Sequence, residues 1–306
     1  SRAMVDTLRK VLAARRYDLL VCDFLQPTLN LRGLRLPKTL LFQHNVESMI
    51  PERHYRTSRN PLLRLFWWRE WRKMVRYERQ ACARFDGVVA VSELDRTILE
   101  RDFGARNVTA IPTGVDTDYF RPSSEPPVEN SLVFTGAMDW LPNEDGIIFF
   151  AEEVLPHLRA LVPSVRLTVV GRNPSRRLAE RLRPHPEIHA LGRVDDIRPH
   201  VGRNAVFVIP LRIGGGTRIK AYEAMAMGKA LVSTRVGIEG LPVRDGENVV
   251  LADAPEDFAA AVARLLKDGA ERERIARNAR AYVEHHVSWE RAAEAFAGAC
   301  RRAVHG

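Results

Sequence analysis

Cysteine is scarce in this chain, and long apolar runs are absent from it. Only three cysteines occur among 306 residues, at Cys22, Cys82 and Cys300, and no two of them form a CxxC pair. This spacing indicates no zinc site, and it predicts reduced thiols in a cytosolic protein. No apolar run reaches the roughly 18 residues that a membrane-spanning helix needs, so we expect no span.

Acidic residues are the minority among the charged ones. The sequence holds 47 lysines and arginines against 38 acids, which gives a net charge of +9. This excess predicts an anionic partner, such as a nucleic acid, a membrane surface or a phosphorylated substrate. The apolar fraction of 45% is typical of a soluble globular protein, and the length suits two domains.

One stretch in the second half combines an apolar strand, a glycine run and a helix. Residues 205–210 are apolar, three glycines follow at Gly214, Gly215 and Gly216, and residues 217–227 have helical character. Glycine lets a backbone approach a ligand closely, and the start of a helix offers free N–H groups to a phosphate. The stretch therefore predicts a phosphate-binding loop.

Charged residues at the start of this helix support the prediction. Arg218 and Lys220 lie in its first turn, and Glu223 lies one turn further on. Cations at a helix start oppose the helix dipole, so we expect an anion to compensate them. The alternative is a tight strand-to-helix turn with two solvated cations.

Two common phosphate-binding motifs do not match the sequence of this stretch. A Walker A loop would need glycine where Glu223 stands and a hydroxyl residue where Ala230 stands. A dinucleotide fingerprint that starts at Gly214 would need glycine in place of Ile219.

A regular alternation of strands and helices runs from residue 131 onward. It predicts an α/β fold with a parallel sheet wrapped by helices. The strands are expected at residues 131–135, 165–170, 187–191, 205–210 and 230–233. The first three run into Gly136, Gly171 with Arg172, and Gly192 with Arg193. Because carboxyl ends of parallel strands line one crevice, these loops are expected to share one site with the triple glycine.

The first half is also expected to be α/β. A helix at residues 4–16 precedes a strand at residues 19–24, and a second strand at residues 38–43 places His44 at its carboxyl end. His44 is thus a candidate polar contact in a cleft, the alternative being a histidine bonded to loop backbone. Because an α/β domain usually begins with a strand and a glycine turn, we expect this domain to be incomplete at its N-terminus.

A long helix is predicted at residues 60–85. Trp67, Trp68 and Trp71 are interleaved there with arginines, a pattern that suits a helix lying on an anionic membrane surface. The alternative is that the aromatic residues pack on the sheet and the arginines form its solvated face.

Two further segments precede the second half. Asp116 and Asp118 have a spacing that suits a divalent cation, but turn chemistry explains them as well. The segment at residues 121–130 is rich in proline, serine and glutamate, which is typical of an interdomain linker.

Taken together, the motifs resemble the retaining nucleotide-sugar glycosyltransferases of family four, which have the GT-B fold. The resemblance is firm from residue 131 to about residue 304, and it rests on FTGAMDWLPNEDGI, VVGR, ALGRVDDI, IPLRIGGGTRIKAYEAMAMGKALVST and GIEGLPVRDGEN. It is looser over FQHNVES, VVAVSELD and IPTGVDTDYF. It is greatest to bacterial members associated with exopolysaccharide or surface-glycan assembly.

The resemblance implies two Rossmann-like domains that face a cleft. Residues 1–120 would form the acceptor-side domain and residues 131–287 the domain that binds the nucleotide sugar, with 121–130 as linker. Residues 288–306 would form a helix that packs back toward the first domain.

The same resemblance implies roles for individual residues. Glu223 would contact the donor ribose, Arg218 and Lys220 its diphosphate, and His44 its sugar. The other donor-binding positions would be Gly136, Gly171, Arg172, Arg193, Val194, Gly214, Gly215, Gly216 and Thr217. The family often has a glutamate where Gly215 stands, so backbone amides of the glycine loop would take over its contacts here. No metal and no cofactor is expected, and the donor would be a UDP- or GDP-sugar.

The predicted activity is metal-independent transfer of a sugar to a glycan or lipid-linked acceptor. No second carboxylate is placed as a covalent nucleophile, so the resemblance implies same-face transfer in which the departing phosphate takes the acceptor's proton. The alternatives are an epimerase or phosphorylase on the same fold, a non-catalytic binder of sugar nucleotides and a nucleic-acid binder. We expect no nucleic acid, because the chain holds no recognised binding motif. The protein would be cytoplasmic, and peripheral on the inner membrane face.

Overall fold

A computed structural model describes residues 1–58, 60–213 and 218–305. These residues form two units, each with its own parallel sheet. The first comprises residues 1–113 and 290–305, and the second comprises residues 114–213 and 218–289. Both units are α/β, in agreement with the predicted class.

The first unit is built on four parallel strands in the order β1-β2-β3-β4. Strands β2 and β3 are rich in buried leucine and valine, as expected for strands covered on both faces. The strands are β1 (Leu19–Asp23), β2 (Lys38–Phe42), β3 (Gly87–Ala90) and β4 (Val108–Ala110). The helices are α1 (Arg2–Ala14), α2 (Met49–Thr57), α3 (Pro61–Cys82) and α4 (Glu93–Phe103), with a 3-10 helix at Gln26–Leu31.

Capping residues set the bounds of two of these helices. The Asn60 side chain accepts from the backbone N–H of Leu62, and α3 then begins at Pro61. The Ser92 side chain caps α4 in the same way, through the N–H of Asp95. Helix α4 ends at Gly104, whose φ of +66° is left-handed and favours glycine.

The second unit has a six-stranded parallel sheet in the order β10-β9-β8-β5-β6-β7. The chain enters at β5, adds β6 and β7 on one side, and then returns to place β8 on the other side of β5. The strands are β5 (Val128–Thr135), β6 (Arg166–Val170), β7 (Ile188–Gly192), β8 (Asn204–Ile209), β9 (Ala230–Ser233) and β10 (Val250–Leu251). The direction of strand addition reverses between β5 and β8, which makes this the topological switch point.

Helices cover this sheet and enclose a continuous apolar core. They are α5 (Leu141–Phe149), α6 (Leu155–Leu161), α7 (Arg176–Leu182), α8 (Arg198–Arg203), α9 (Ile219–Ala226), α10 (Pro255–Lys267) and α11 (Gly269–His286). A π-helical turn at Phe150–Val154 joins α5 to α6. Phe134 of β5 and Phe207 of β8 are almost fully buried in the core, so we expect truncation of either to alanine to cost about 3–5 kcal/mol.

The final helix, α12 (Trp289–His305), supplies the first unit with part of its core. Ala299 lies in one buried cluster with Leu40, Val89 and Ile111. Phe296 also packs on Phe42 of β2, with 5.7 Å between ring centroids. This helix therefore covers one face of the four-stranded sheet.

The units divide at Thr113 and Gly114, ahead of the segment at residues 121–130 that the sequence predicts as a linker. That segment lies inside the second unit, and its last three residues already belong to β5. Hydrogen bonds explain the difference. The Val115 N–H donates to the Val287 carbonyl at 2.9 Å, and the Arg280 guanidinium donates to the Phe120 carbonyl at 2.9 Å.

Candidate functional site

The loops that follow β5, β6 and β7 are joined by backbone hydrogen bonds at the carboxyl edge of the six-stranded sheet. The Gly136 N–H donates to Val170 at 2.9 Å, and the Gly171 N–H donates to Gly192 at 3.0 Å. The Met138 N–H donates to the carbonyl of Arg172 at 2.9 Å. The structure thus brings Gly136, Gly171 and Arg172 together beside the switch point.

Two of these positions have no room for a side chain. A Cβ on Gly171 would lie 1.8 Å from the Gly136 carbonyl oxygen. A Cβ on Gly136 would lie 2.6 Å from Lys220 Nζ and 2.8 Å from Asn143 Nδ2. Glycine at 136 therefore lets Lys220 and Asn143 approach the end of β5.

Lys220 places its ammonium at the switch point. Its Nζ donates to Asn143 Oδ1 at 2.7 Å and lies 4.2 Å from the centroid of the Phe134 ring. Asn143 Nδ2 in turn donates to the Ala137 carbonyl at 2.8 Å, which fixes the orientation of the amide. Lys220 follows β8 and Asn143 follows β5, so their contact joins the two sides of the switch point.

The ammonium of Lys220 is poorly solvated. Burial, and secondly the neighbouring charge of Arg218, lower the pKa of Lys220 to about 7, while Glu223 acts in the opposite direction. The Asn143 amide oxygen, which accepts the hydrogen bond from the Lys220 ammonium, carries no net charge. An anion that binds here would restore the charged form and would gain a strong interaction in a weakly solvated site.

Arg218 is buried and is held by the loop after β9. Its Nη2 donates to the Val236 carbonyl at 2.8 Å and lies 3.9 Å from a Glu239 carboxylate oxygen. Thr234 fixes this loop, because its hydroxyl oxygen accepts from the Gly237 N–H at 2.9 Å. The guanidinium is thus positioned by backbone at the edge of the sheet.

Glu223 follows Lys220 by one turn of α9. It is half-buried, and burial raises the pKa of its carboxyl group, while the charge of Lys220 partly offsets this shift. Lys220, Arg218 and Glu223 therefore form one electrostatically coupled group.

The remaining predicted donor contacts differ in their placement. Arg172 is exposed, with its Nε 3.8 Å from Asp139, and Asn173 donates to the same carboxylate at 2.9 Å. Arg193 is exposed after β7, and Val194 packs against the core. The predicted contacts Gly214, Gly215, Gly216 and Thr217 lie outside the described residues.

His44 belongs to the first unit, where it lies two residues after the end of β2 and next to the end of β1. Its Nε2 lies 2.7 Å from Asp23 Oδ1, and its ring stacks on Phe24 with 4.1 Å between centroids. A carboxylate only accepts, so the Nε2 atom carries the hydrogen. The bonding partner is therefore a side chain and not the loop backbone.

Two residues of this region were missed by the sequence reasoning. Asp23 ends β1 and could have been found, since neighbouring parallel strands end at the same edge of a sheet. Glu78 on α3 is completely buried, and its carboxylate accepts from the N–H groups of Glu47 at 2.8 Å and Ser48 at 3.0 Å. Burial raises its pKa against the effect of these bonds. Its signal is an acid on the apolar face of α3, beside Ala81 and Cys82.

Two of the three tryptophans predicted to face a membrane are half-buried against α2. Trp67 stacks on His54 at 4.4 Å and Trp71 stacks on Tyr55 at 5.9 Å between centroids, because both lie on the face of α3 that meets α2. Trp68 is 43% exposed. Trp68 and its exposed apolar neighbours form a patch, which we call the α3 patch. It consists of Leu62, Leu63, Leu65, Phe66 and Trp68.

The aspartates at 116 and 118 form a turn. Asp116 Oδ1 accepts from the backbone N–H of Asp118 at 3.1 Å and of Tyr119 at 2.7 Å. Within residues 1–58, 60–213 and 218–305, no group of three or more His, Cys, Asp or Glu residues is arranged to hold a metal ion. No helix in the same ranges is long and apolar enough to cross a membrane.

Two parallel-sheet units, the second with Lys220 and Arg218 at its switch point, define an α/β architecture of the kind that binds ligands at the carboxyl edge of its sheet. Comparison with known proteins agrees with this class. The family model described as "Glycosyltransferase Family 4" matches residues 1–119, and the one described as "Glycosyl transferases group 1" matches residues 129–268. Neither model alone covers half of the chain, but together they span most of it, so both of its halves belong to glycosyltransferase families.

Relatives of known name are glycosyltransferases as well. A D-inositol 3-phosphate glycosyltransferase of Geodermatophilus obscurus is 29% identical over 75% of this chain and 58% of its own length. A phosphatidyl-myo-inositol mannosyltransferase of Mycobacterium tuberculosis is 32% identical over 58% of this chain and 48% of its own. The chain spans between 42% and 58% of the length of such relatives.

Solved structures confirm the GT-B fold prediction. Sucrose-phosphate synthase from Thermosynechococcus elongatus has a TM-score of 0.77 at 22% identity, covering 97% of this chain and 76% of its own. HepE from Anabaena, solved in complex with UDP, has a TM-score of 0.74 at 16% identity, covering 96% of this chain and 81% of its own.

Proposed function

We propose that the protein is a retaining glycosyltransferase that moves a sugar from a nucleotide diphosphate donor to a glycan or lipid-linked acceptor. The observation that carries this proposal is the Lys220 ammonium. It is desolvated beside the guanidinium of Arg218 and bonded to the neutral amide of Asn143. Such a pair of cations is stabilised by an anion of high charge, and a diphosphate supplies it at the sheet edge where nucleotides bind.

The same cations suit the chemistry of the transfer. Cleavage of the glycosyl bond builds negative charge on the leaving phosphate, and cations held in place beforehand stabilise that charge most strongly in a closed site. Glu223 would bind the ribose hydroxyls, while Gly136 and Gly171 would leave room for the donor beside the strand ends. The donor would be a UDP- or GDP-sugar, and HepE, a structural neighbour, has been solved in complex with UDP-glucose.

In the first unit, His44 would contact the donor sugar. Asp23 orients the ring and fixes its tautomer through the 2.7 Å bond to Nε2. Nδ1 is then left as an acceptor for a sugar hydroxyl when the ring is neutral.

A transfer assay with a panel of nucleotide sugars and polyprenyl- or inositol-linked acceptors tests this function. We expect a product that requires the acceptor and keeps the anomeric configuration of the donor, as read by NMR. Lys220→Met should lower the rate of product formation by orders of magnitude, whereas Lys267→Met, at the end of α10, should leave it unchanged. Product without any acceptor would instead indicate an epimerase or phosphorylase, and nucleotide binding without any product would indicate a binding protein.

We further propose that the enzyme works at the cytoplasmic face of a membrane, with the α3 patch against anionic lipid. Five exposed apolar side chains lie there on the first turns of α3. They are interleaved with the exposed arginines Arg64, Arg69 and Arg72. Apolar side chains that enter the headgroup region, together with cations that meet anionic headgroups, are typical of helices that lie on a membrane. A lipid-linked acceptor in a surface-glycan pathway would be reached from this position.

Sedimentation with vesicles tests the membrane proposal. We expect binding to vesicles of phosphatidylcholine with phosphatidylglycerol, weaker binding to phosphatidylcholine alone, and loss of binding in a Leu62→Ser, Phe66→Ser, Trp68→Ser variant. Trp289→Ser is the matched control, because Trp289 is 65% exposed and lies outside the α3 patch. Equal vesicle binding by the triple variant and the wild type would refute membrane binding through the α3 patch.

A further inference from the structure

Helix α2 has an N-terminus that its own residues do not cap. Ser48 occupies the N-cap position, but its side chain makes no capping bond to the backbone of α2. The first N–H groups of a helix need acceptors, and a negative charge at this end is favoured by the helix dipole. The N–H groups of Met49 and Ile50 already donate to the carbonyls of Val46 and Glu47. Glu78 of α3 supplies the negative charge, because its carboxylate accepts from the N–H groups of Glu47 and Ser48 just ahead of the helix.

The same carboxylate also holds the end of β2. Gln43 Nε2 donates to Glu78 Oε1 at 3.2 Å, and the backbone N–H of Gln43 donates to Val89 of β3 at 2.8 Å. Glu78 therefore fastens both ends of the segment from residue 43 to residue 48. His44 lies within this segment.

Burial of the Glu78 carboxyl group carries a desolvation free energy that an apolar side chain would not. The side chain of Glu78 is completely enclosed, and desolvation raises its pKa. Breaking a buried polar network is strongly destabilising, but an apolar side chain of similar volume often serves packing equally well. The carboxylate thus has a role that packing does not explain, and its hydrogen-bond donors, from Gln43, Glu47 and Ser48, all belong to the segment at residues 43–48.

We propose that Glu78 is a positioning residue for His44. Its carboxylate fixes the segment at residues 43–48 between β2 and α2, so that the His44 ring stays bonded to Asp23 and stacked on Phe24. The effect on transfer rests on the role proposed above for His44, whereas the effect on the segment itself does not.

The test compares Glu78→Gln with Glu70→Gln. Both residues lie on α3, but Glu70 pairs with Lys73 on the same helix and not with the segment. Gln at 78 keeps the volume and one acceptor oxygen but loses the charge and the second acceptor. In the protein without ligand, we expect hydrogen exchange of the amides at residues 44–49 to become about tenfold faster in Glu78→Gln and to be unchanged in Glu70→Gln.

Two further readouts separate positioning from general stability. The ¹⁵N signals of the His44 ring, assigned with His44→Gln, should show the Nε2–H tautomer in the wild type and a mixture of tautomers in Glu78→Gln. The kcat for transfer should fall about tenfold or more, with the dissociation constant for the nucleotide diphosphate unchanged, because a misplaced group slows the reaction step. If Glu78→Gln does not fold, Gln43→Met removes one donor only and should give the same changes at smaller size.

The outcomes distinguish the two proposals. Wild-type exchange and wild-type His44 signals in a folded Glu78→Gln would overturn the positioning role. Changed exchange and changed His44 signals with an unchanged kcat would overturn the role proposed for His44 in transfer. A wild-type protein that binds no nucleotide and transfers no sugar would instead overturn the proposed function, while the exchange and NMR results would still decide whether Glu78 holds the segment.

Discussion

Both units place charged side chains near the carboxyl ends of their parallel strands, but the charges of these side chains are compensated in opposite ways. In the first unit the carboxylates of Asp23 and Glu78 each have hydrogen-bond donors from the chain itself. In the second unit Lys220 is bonded to a neutral amide and lies near a second cation, Arg218. The first site is therefore complete without a ligand, whereas in the second a bound anion would add to the partial compensation that Glu223 and Glu239 give the two cations.

This difference separates two tasks that a sugar transfer requires. A site of hydroxyl-binding groups needs fixed geometry, which internal hydrogen bonds provide. A site for a diphosphate needs positive charge that water does not already satisfy. Changes in the second unit should thus act through charge, and changes in the first through geometry.

The largest expected effect is that of removing the Lys220 charge. Lys220→Met should lower kcat/KM for transfer about 100- to 1,000-fold, the usual loss for one preorganised donor at a developing anion. Thermal stability should not fall, because the wild-type ammonium is itself poorly solvated. Steady-state kinetics and a thermal melt, with Lys267→Met as control, measure both. A melting temperature that falls together with activity would contradict the charge explanation.

A smaller loss is expected when the partner of His44 is changed. Asp23→Asn can present its amide N–H to Nε2 and so favour the other tautomer, and transfer should fall about 10- to 100-fold. Nucleotide diphosphate affinity should stay at the wild-type value, since the change lies in the first unit. Kinetics and calorimetry on one preparation test this. A loss of nucleotide affinity would show that the two sites are not separable.

The smallest effect is a pH dependence that only the second unit should show. The free protein has a Lys220 pKa of about 7, below the ordinary value for lysine, and a bound diphosphate should raise it. Below pH 7 Lys220 is already charged, so binding takes up little proton. Above pH 7, and up to the pKa in the complex, binding should take up nearly one proton.

Calorimetry in two buffers of different ionisation enthalpy at pH 8 measures this uptake. Lys220→Met should abolish it, and Asp23→Asn should leave it unchanged. Equal enthalpies in both buffers for the wild type would show that Lys220 does not titrate with binding.

The sequence predicts the elements that local patterns determine. The strand at Ala230–Ser233 was predicted at the bounds observed, and the helix start at Ser92 follows from its capping chemistry. The α/β class could also be predicted from the alternation of strands and helices, and the GT-B fold from the resemblance of the motifs to the family-four glycosyltransferases. Arg218, Lys220 and Glu223 come together because they are neighbours on α9.

Contacts between residues far apart in the chain could not be predicted in the same way. Lys220 and Asn143 are 77 residues apart, and only the strand order that sets β8 beside β5 brings them together. Glu78 reaches the segment after β2 because α3 packs on α2. That packing also decides which tryptophans are half-buried, and a helical pattern alone does not show which face meets a neighbouring helix.

A calorimetric titration with UDP, GDP and ADP, without added metal, on the wild type and on Glu223→Ala tests the proposed nucleotide site most directly. We expect one of the three nucleotides to bind the wild type and Glu223→Ala to weaken this binding, because Glu223 would hold the ribose beside the Lys220 and Arg218 cations. Absence of binding by all three, or equal binding by the variant, would contradict a nucleotide site at the switch point of the second unit.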